Sequence, residues 1–172
     1  FAIKNRGIRT ETKFFGNDTA KEMVEKYGKA DLLIGNNVLA HVPDINDFVS
    51  GMKTFLSKDG LITMEFPHLL RLVERNQFDT IYHEHFSYLS FTTVEKIFEF
   101  HGLSMFDVEE LPTHGGSIRI YAKHIEDATK EISFRVAELL KREKAAGMSS
   151  KNFYKDFQEK VRNTKRKILE FL

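Results

Sequence analysis

The stretch LSMFDVEELPTHGGSIRIYAKH, residues 103–124, contains two strand-like runs that are separated only by the turn PTHGG. Two parallel strands need a crossover connection of roughly a dozen residues or more, so this short turn can only join antiparallel strands. The sequence therefore predicts a β-hairpin here. The rest of the chain decides what kind of sheet the hairpin belongs to.

Upstream of the hairpin, strand-like runs alternate with helical patterns. The run IRTETKFF at 8–15 alternates as a strand does, whereas DLLIGNN at 31–37 and LITMEF at 61–66 resemble buried strands of a parallel sheet. Helical spacing is shown by two apolar stripes, Ala20, Met23, Val24 and Tyr27, then Ile45, Phe48, Val49, Met52, Phe55 and Leu56. Gly28 should end the first helix. This order predicts a layered α/β fold whose parallel sheet finishes in the antiparallel hairpin.

Four more helices are predicted outside this alternation. A loop with a short helix, residues 67–91, interrupts the alternation of strands and helices. Thr92 and Glu95 then form a capping box that should start a helix, and Gly102 should end it. Beyond Glu126 the pattern is helical and charged. Its first apolar stripe is Ile132, Val136, Leu139 and Leu140, after which GMSS separates it from a second helix that runs to the end.

The composition narrows the class of partner. The 172 residues are 41% hydrophobic, which is enough for one sizeable core. Lys and Arg total 26 against 25 Asp and Glu, so no overall electrostatic field favours binding to nucleic acid or to an anionic membrane, and a small-molecule partner is favoured.

The absence of cysteine excludes disulfides and a thiol nucleophile within this chain. No run approaches the roughly 20 apolar residues of a membrane span, and we expect a cytoplasmic protein. Phe1 in place of Met suggests that the natural protein begins earlier.

The segment TIYHEHFSYLS, residues 80–90, places four proton-handling or metal-binding groups side by side, Tyr82, His83, Glu84 and His85. Histidine exchanges protons near neutral pH, so general acid–base catalysis suits these residue types. A metal site is disfavoured, because on an extended strand His83 and His85 would share a face and leave an ion short of ligands. A purely structural role, with these side chains bonded to a tight turn, stays open.

Polar residues also follow the strand DLLIGNN. In open α/β sheets ligands bind beyond the carboxyl ends of the strands. Asn36, Asn37 and His41 lie at such an end, and the segment that carries His85 follows the strand LITMEF. We therefore expect His41 and His85 to meet at one crevice.

Four motifs together resemble the S-adenosylmethionine-dependent sugar C-methyltransferases, which methylate a ring carbon of nucleotide-linked keto-deoxysugars. The motifs are NNVLAHVPD (36–44), FPHL (66–69), YHEHFSYLS (82–90) and THGGSIRIYA (113–122). The resemblance implies a partial class I methyltransferase (Rossmann-like) sheet that ends in an antiparallel hairpin. Residues 1–124 would then be the C-terminal part of that domain, and 125–172 a helical connector toward a further domain that is missing.

The resemblance also implies a site for proton abstraction beside a keto group in deoxysugar biosynthesis. It makes His85 the expected base and places Glu84, Tyr82 and His41 close to the sugar. Asn36 and Asn37 would hold the methionine part of S-adenosylmethionine. The expected contacts with the nucleotide-linked sugar are His114, Gly115 and Ser117.

The chain departs from the family pattern in one respect. None of its ten glycines forms the G-x-G element of the family's cofactor-binding turn, so we expect this piece to be inactive alone. Zinc would belong only to an N-terminal cysteine module that is missing here, and no metal is expected. The alternatives are an O- or N-methyltransferase for another small molecule and a non-catalytic oligomerisation fragment. The sequence leaves the oligomeric state open.

Overall fold

The computed structural model describes residues 7–172. Its seven α-helices and four strands follow in the order α1 (Asn17–Tyr27), β1 (Ala30–Asn36), α2 (Ile45–Phe55), β2 (Leu56–Pro67), α3 (Leu69–Glu74), α4 (Phe91–Phe100), β3 (Leu103–Leu111), β4 (Ser117–His124), α5 (Phe134–Ala146), α6 (Lys151–Tyr154) and α7 (Phe157–Phe171). Short 3-10 helices lie at Leu39–His41, Phe78–Thr80 and Thr113–Gly115.

The four strands form one mixed sheet in the order β1-β2-β4-β3. β1 pairs with β2 in parallel, while β4 runs antiparallel to both β2 and β3. The hairpin closes where Leu111 pairs with Ser117. The predicted α/β class, with an antiparallel hairpin at the end of the sheet, is therefore confirmed.

The predicted strand at 8–15 is wrong. In the part of the chain that the structure describes, residues 7–16 pair with no strand. Their polar side chains face α1 instead: the carboxylate of Glu11 accepts from Lys26 at 2.6 Å and from Tyr27 at 2.5 Å, and Lys13 pairs with Glu22. An alternating pattern creates an amphipathic segment, but a strand also needs a neighbour for its backbone groups.

β1 forms where the sequence predicts it, but it is not a buried strand. Leu32 is 49% and Ile34 66% exposed, because both lie on the face of the sheet opposite the core, next to Leu61 and Thr63. A continuous apolar run indicates that both faces of a strand could be covered by other elements. Whether they are covered depends on elements outside the run.

Capping explains most helix boundaries. Gly28, in a left-handed conformation at φ 80°, ends α1 as predicted, and the carboxylate of Asp44 caps α2 by accepting from the N–H groups of Asn46 and Asp47. The predicted capping box at Thr92 is wrong: α4 begins at Phe91, two residues earlier than a Thr92 cap implies, and Ser90 caps it by accepting from the Thr93 N–H at 3.1 Å. Thr92 instead donates its hydroxyl to the carboxylate of Glu143, on α5.

The core lies on one face of the hairpin and β2, where their buried residues are in register. Its fully buried side chains on the strands include Ile62, Phe66, Leu103, Ile118 and Ile120. Helices α2, α4 and α5 cover them with Val49, Met52, Val94, Phe98, Val136 and Leu139.

The C-terminal helices differ in detail from the prediction. The stripe begins at Val136, because Ile132 precedes α5 and is 62% exposed. The single helix predicted after the break is two helices, α6 and α7. α5 is held to β3 by the guanidinium of Arg135, whose Nε donates to Asp107 at 2.9 Å. Among the helices of residues 7–172, none has the length and apolar character needed to cross a membrane.

Ser90→Ala should lower the free energy of unfolding by about 1 kcal/mol, because the first turn of α4 loses its side-chain acceptor. Urea denaturation of the purified protein measures the change. Ser149→Ala, at an exposed position, is the control and should leave the midpoint unchanged. A loss of stability on Ser90→Ala no larger than that of the control would contradict the assignment of the cap.

Candidate active site

The two predicted histidines meet at one edge of the sheet. His41 ends the 3-10 helix that follows β1, and His85 lies in the segment that follows β2, residues 68–90, which we call the insertion. Because β1 and β2 are parallel, their carboxyl ends emerge together. The ring centroids of His41 and His85 are 4.6 Å apart, and both rings are partly exposed. The two side chains therefore lie side by side at this edge of the sheet, and we call the surface that they form with Tyr82 the crevice.

Hydrogen bonding determines which nitrogen of His85 is basic. Nδ1 lies 2.9 Å from the carbonyl oxygen of Thr80. A carbonyl can only accept, so Nδ1 carries the proton in the neutral ring and Nε2 carries the lone pair. The hydroxyl of Tyr82 lies 3.3 Å from Nε2, and the Tyr82 and His85 ring centroids are 4.4 Å apart. The basic nitrogen therefore sits beside a phenol.

His41 has the same tautomer for the same reason. Its Nδ1 lies 2.9 Å from the carbonyl oxygen of Glu84 and donates to it. The backbone also connects these segments, because the N–H groups of Phe86 and Ser87 donate to the carbonyl of Ala40 at 2.8 and 3.2 Å. Both imidazoles are thus oriented by the backbone of the insertion, and within residues 7–172 neither Nε2 bonds to a backbone group.

The motif YHEH forms a turn. The expectation that His83 and His85 share a face holds only for an extended strand. The His85 N–H donates to the Tyr82 carbonyl at 3.1 Å, which places Tyr82 and His85 on the same side. The side chains of His83 and Glu84 are exposed, and Glu84 contacts His41 through its backbone. Within residues 7–172 no group of three or more His, Cys, Asp or Glu side chains is arranged to hold a metal ion.

The two asparagines at the end of β1 differ. Asn37 has a left-handed backbone at φ 53°, donates its N–H to the Glu65 carbonyl at 2.8 Å, and buries a side-chain oxygen that has no partner among the described residues. Asn36 is exposed. An apolar groove of about 470 Å³ runs along β1, and its lining includes Leu33, Ile34, Gly35, Asn36 and Val38. A buried acceptor beside the end of this strand suits an amino group.

The turn THGG is bonded to the insertion. The carbonyl of Gly115 accepts from the Arg75 guanidinium at 2.6 Å and from the Gln77 amide at 2.7 Å. His114 is exposed, with φ 51°, whereas Ser117 is buried and donates its hydroxyl to Thr113 at 3.1 Å. Of the three residues predicted to contact the sugar, His114 and Gly115 are therefore accessible and Ser117 is engaged within the turn.

Sequence reasoning missed Glu65 and the carbonyl of Thr80. Glu65 is buried in β2, where its carboxylate accepts from Thr113 at 3.0 Å and from Arg119 at 2.8 Å. It thereby joins β2 to the turn THGG at the same edge. A charged residue inside the apolar run LITMEF was a signal that could have identified it. Nothing in the sequence identifies Thr80, because its contribution is a backbone atom.

Residues 3–108 match the family model of the methyltransferase domain. This chain belongs to the methyltransferases. Residues 112–172 match the model of the C-methyltransferase C-terminal domain. The C-methyltransferase NovU of Streptomyces niveus is 36% identical over 168 residues, which are 98% of this chain and 40% of NovU. This chain thus spans 40% of the length of NovU. The predicted resemblance to C-methyltransferases is confirmed.

Solved methyltransferase structures are similar over part of the chain. A putative methyltransferase in complex with the Trm112 activator from Haloferax volcanii has a TM-score of 0.48 and 9% identity, over 66% of this chain and 57% of that one. Magnesium protoporphyrin IX methyltransferase from Synechocystis has a TM-score of 0.42 and 16% identity, over 55% and 44%. These partial likenesses carry no information about substrate.

In the neutral rings of His41 and His85, Nδ1 should be the protonated nitrogen, because each donates to a carbonyl. Long-range ¹H–¹⁵N spectra of ¹⁵N-histidine-labelled protein, recorded above the histidine titration, distinguish the two tautomers. Exposed His114 is the internal reference. Nε2-protonated rings at both positions would contradict the orientation described here.

Proposed function

We propose that this methyltransferase transfers a methyl group from S-adenosylmethionine to a ring carbon of a nucleotide-linked ketosugar, in deoxysugar biosynthesis. The observation that carries the proposal is the crevice in which His85, Tyr82 and His41 meet, with the basic Nε2 of His85 next to a phenol. The match to a C-methyltransferase domain and the similarity to NovU support carbon as the methylated atom.

Methylation of carbon requires removal of a proton from the carbon beside the keto group. In the proposed reaction Nε2 of His85 takes this proton, and the electron pair of the C–H bond moves to the ketone oxygen to form an enolate. The Thr80 carbonyl keeps Nδ1–H bonded while the ring becomes cationic, so the imidazolium stays oriented and stabilised. His85 is the base in this proposal because its Nε2, which carries the lone pair, lies beside the Tyr82 hydroxyl.

A base alone is not sufficient. A ketone α-proton is about a dozen pK units less acidic than imidazolium, and each unit corresponds to about 1.4 kcal/mol. Most of this gap must be met by stabilising the enolate oxygen. One preorganised donor contributes about 3 kcal/mol, so more than one donor is needed.

Tyr82 and His41 are the proposed donors to the enolate oxygen. The Tyr82 hydroxyl faces Nε2 of neutral His85 and would turn its proton to the enolate oxygen once that nitrogen has taken the α-proton. In the neutral tautomer that the Glu84 carbonyl imposes, Nε2 of His41 only accepts, so His41 can donate to the oxygen only when its ring carries a second proton. The proposal therefore requires His85 to be neutral and His41 to be protonated at the start of the reaction.

The end of β1 supplies residues that suit the methyl donor. The unpartnered side-chain oxygen of Asn37 would accept from the amino group of its methionine part, with exposed Asn36 beside it. When bound, S-adenosylmethionine supplies the electrophilic methyl group. His114 and Gly115 would contact the sugar, Ser117 would shape the turn, and the exposed carboxylate of Glu84 could bond sugar hydroxyls. Residues 125–172 would act as the helical connector to a further domain.

The proposal is tested by incubating the full-length enzyme with isotopically labelled S-adenosylmethionine and a panel of nucleotide-linked ketosugars. Mass spectrometry and NMR of the products show whether the label is bonded to carbon. A label on oxygen or nitrogen would replace the proposal by the alternative methyltransferase class. Failure to bind the methyl donor at all would favour the non-catalytic oligomerisation fragment.

His85→Asn should reduce the exchange of the sugar's α-proton with solvent deuterium, and the methylation rate, by roughly 100-fold or more, because the base is lost. His83→Asn, in the same motif with an exposed side chain, is the matched control and should retain near-normal rates. Full turnover by the His85 variant would exclude His85 as the base.

A further inference from the structure

The insertion begins and ends at almost the same place. It leaves the sheet at His68, and the first helix after it starts at Phe91. The Leu69 N–H donates to the Leu89 carbonyl at 3.0 Å, which holds the two ends side by side. The proposed catalytic groups lie in the middle of this loop, so their placement depends on how its ends are held.

One carboxylate contacts both ends of the insertion. Glu143 on α5 is 1% exposed, and its Oε1 accepts from His68 Nε2 at 2.7 Å and from the Phe91 N–H at 2.7 Å. Its Oε2 accepts from the Thr92 N–H at 2.8 Å and also from the Thr92 hydroxyl. Four donors from the two ends of the loop thus converge on a single side chain.

The electrostatics favour an ionised carboxylate at this position. Burial alone would raise the pKa of Glu143, but the hydrogen bonds from His68, Thr92 and Phe91 hold that pKa below its ordinary value. Two of these donors are N–H groups of the first turn of α4, where the helix dipole stabilises an anion. His68 Nδ1 is buried without a partner among the described residues, so a neutral ring that donates through Nε2 satisfies the site best.

A second contact joins the insertion to the C-terminal helices. The side-chain amide of Asn76 donates to the Thr164 hydroxyl on α7 at 3.0 Å. The insertion is thus bonded to α5 at its ends and to α7 between them, in addition to its contact with Ala40. The C-terminal helices are therefore part of the support of the crevice.

We propose that Glu143 is a positioning residue, which closes the insertion by binding both of its ends and so holds Tyr82 and His85 against His41. The inference rests on the proposed function for the roles of these three residues. Glu143 itself contacts none of them, so its effect on chemistry passes through the backbone of the loop. A displacement of reacting groups by about 1 Å reduces rates by roughly 100-fold. Loss of this anchor should therefore lower the rate of the reaction.

The test compares Glu143→Gln with Glu138→Gln in the full-length enzyme. Glutamine has the size of glutamate, but its NH₂ group would face N–H and O–H donors that the carboxylate accepts, so the anchor is broken with little change in volume. Glu138 is an exposed glutamate on the same helix and is the matched control. The ¹⁵N and ¹H resonances of the His85 ring and the α-proton exchange kinetics are measured for both variants.

Glu143→Gln should shift the His85 resonances, lower the kcat for α-proton exchange by about 10- to 100-fold, and leave the Kd for S-adenosylmethionine within about twofold. Glu138→Gln should change none of these. Unchanged His85 resonances in Glu143→Gln would overturn the inference whatever the activity. Shifted resonances in an enzyme without ketosugar activity would support the anchor and reject the proposed function.

Thr92→Val is the second variant, needed if Glu143→Gln does not fold. It removes only the hydroxyl donor and keeps the bonds from the N–H groups of Phe91 and Thr92 to the carboxylate. We expect the His85 resonances to shift and kcat to decrease as in Glu143→Gln, but by smaller amounts. A folded Thr92→Val protein with unaltered His85 resonances and kcat would overturn the inference.

Discussion

The parallel pairing of β1 with β2 is the constraint on which the site depends. It directs the segments that follow both strands to the same edge of the sheet, so His41 and the insertion leave the core as neighbours. The antiparallel pairing of β4 with β2 then brings the turn THGG to that edge, because Ser117 pairs with Pro67. Three segments that are distant in the chain converge there, and each brings polar groups into a region bounded by the packed core.

Local patterns predicted much of this fold and failed where an element depends on a distant neighbour. The hairpin followed from the length of one turn, and the helices α1 and α2 followed from apolar stripes with helical spacing. The run at 8–15 has the alternation of a strand but no strand to pair with in the described residues, and β1 is apolar yet lies at an edge. The cap of α4 was displaced because the Thr92 hydroxyl is used by Glu143, a residue far along the chain.

The same division applies to the site. Residue types and the rule about strand ends were enough to expect His41 and His85 in one crevice, and the structure places their rings side by side. The protonated nitrogen of each ring could not be predicted, because it is determined by the carbonyls of Thr80 and Glu84. Backbone acceptors leave no mark in a sequence pattern, since every residue carries one.

The anchor at Glu143 also concerns how such proteins can be recombined. The donors His68, Phe91 and Thr92 lie within the stretch matched by the methyltransferase domain model, and their acceptor lies within the stretch matched by the C-methyltransferase C-terminal domain model. The border between these modules therefore is not a border in the hydrogen-bond network. A chimera joined between them must inherit a carboxylate on the incoming helix, or it buries several donors without an acceptor.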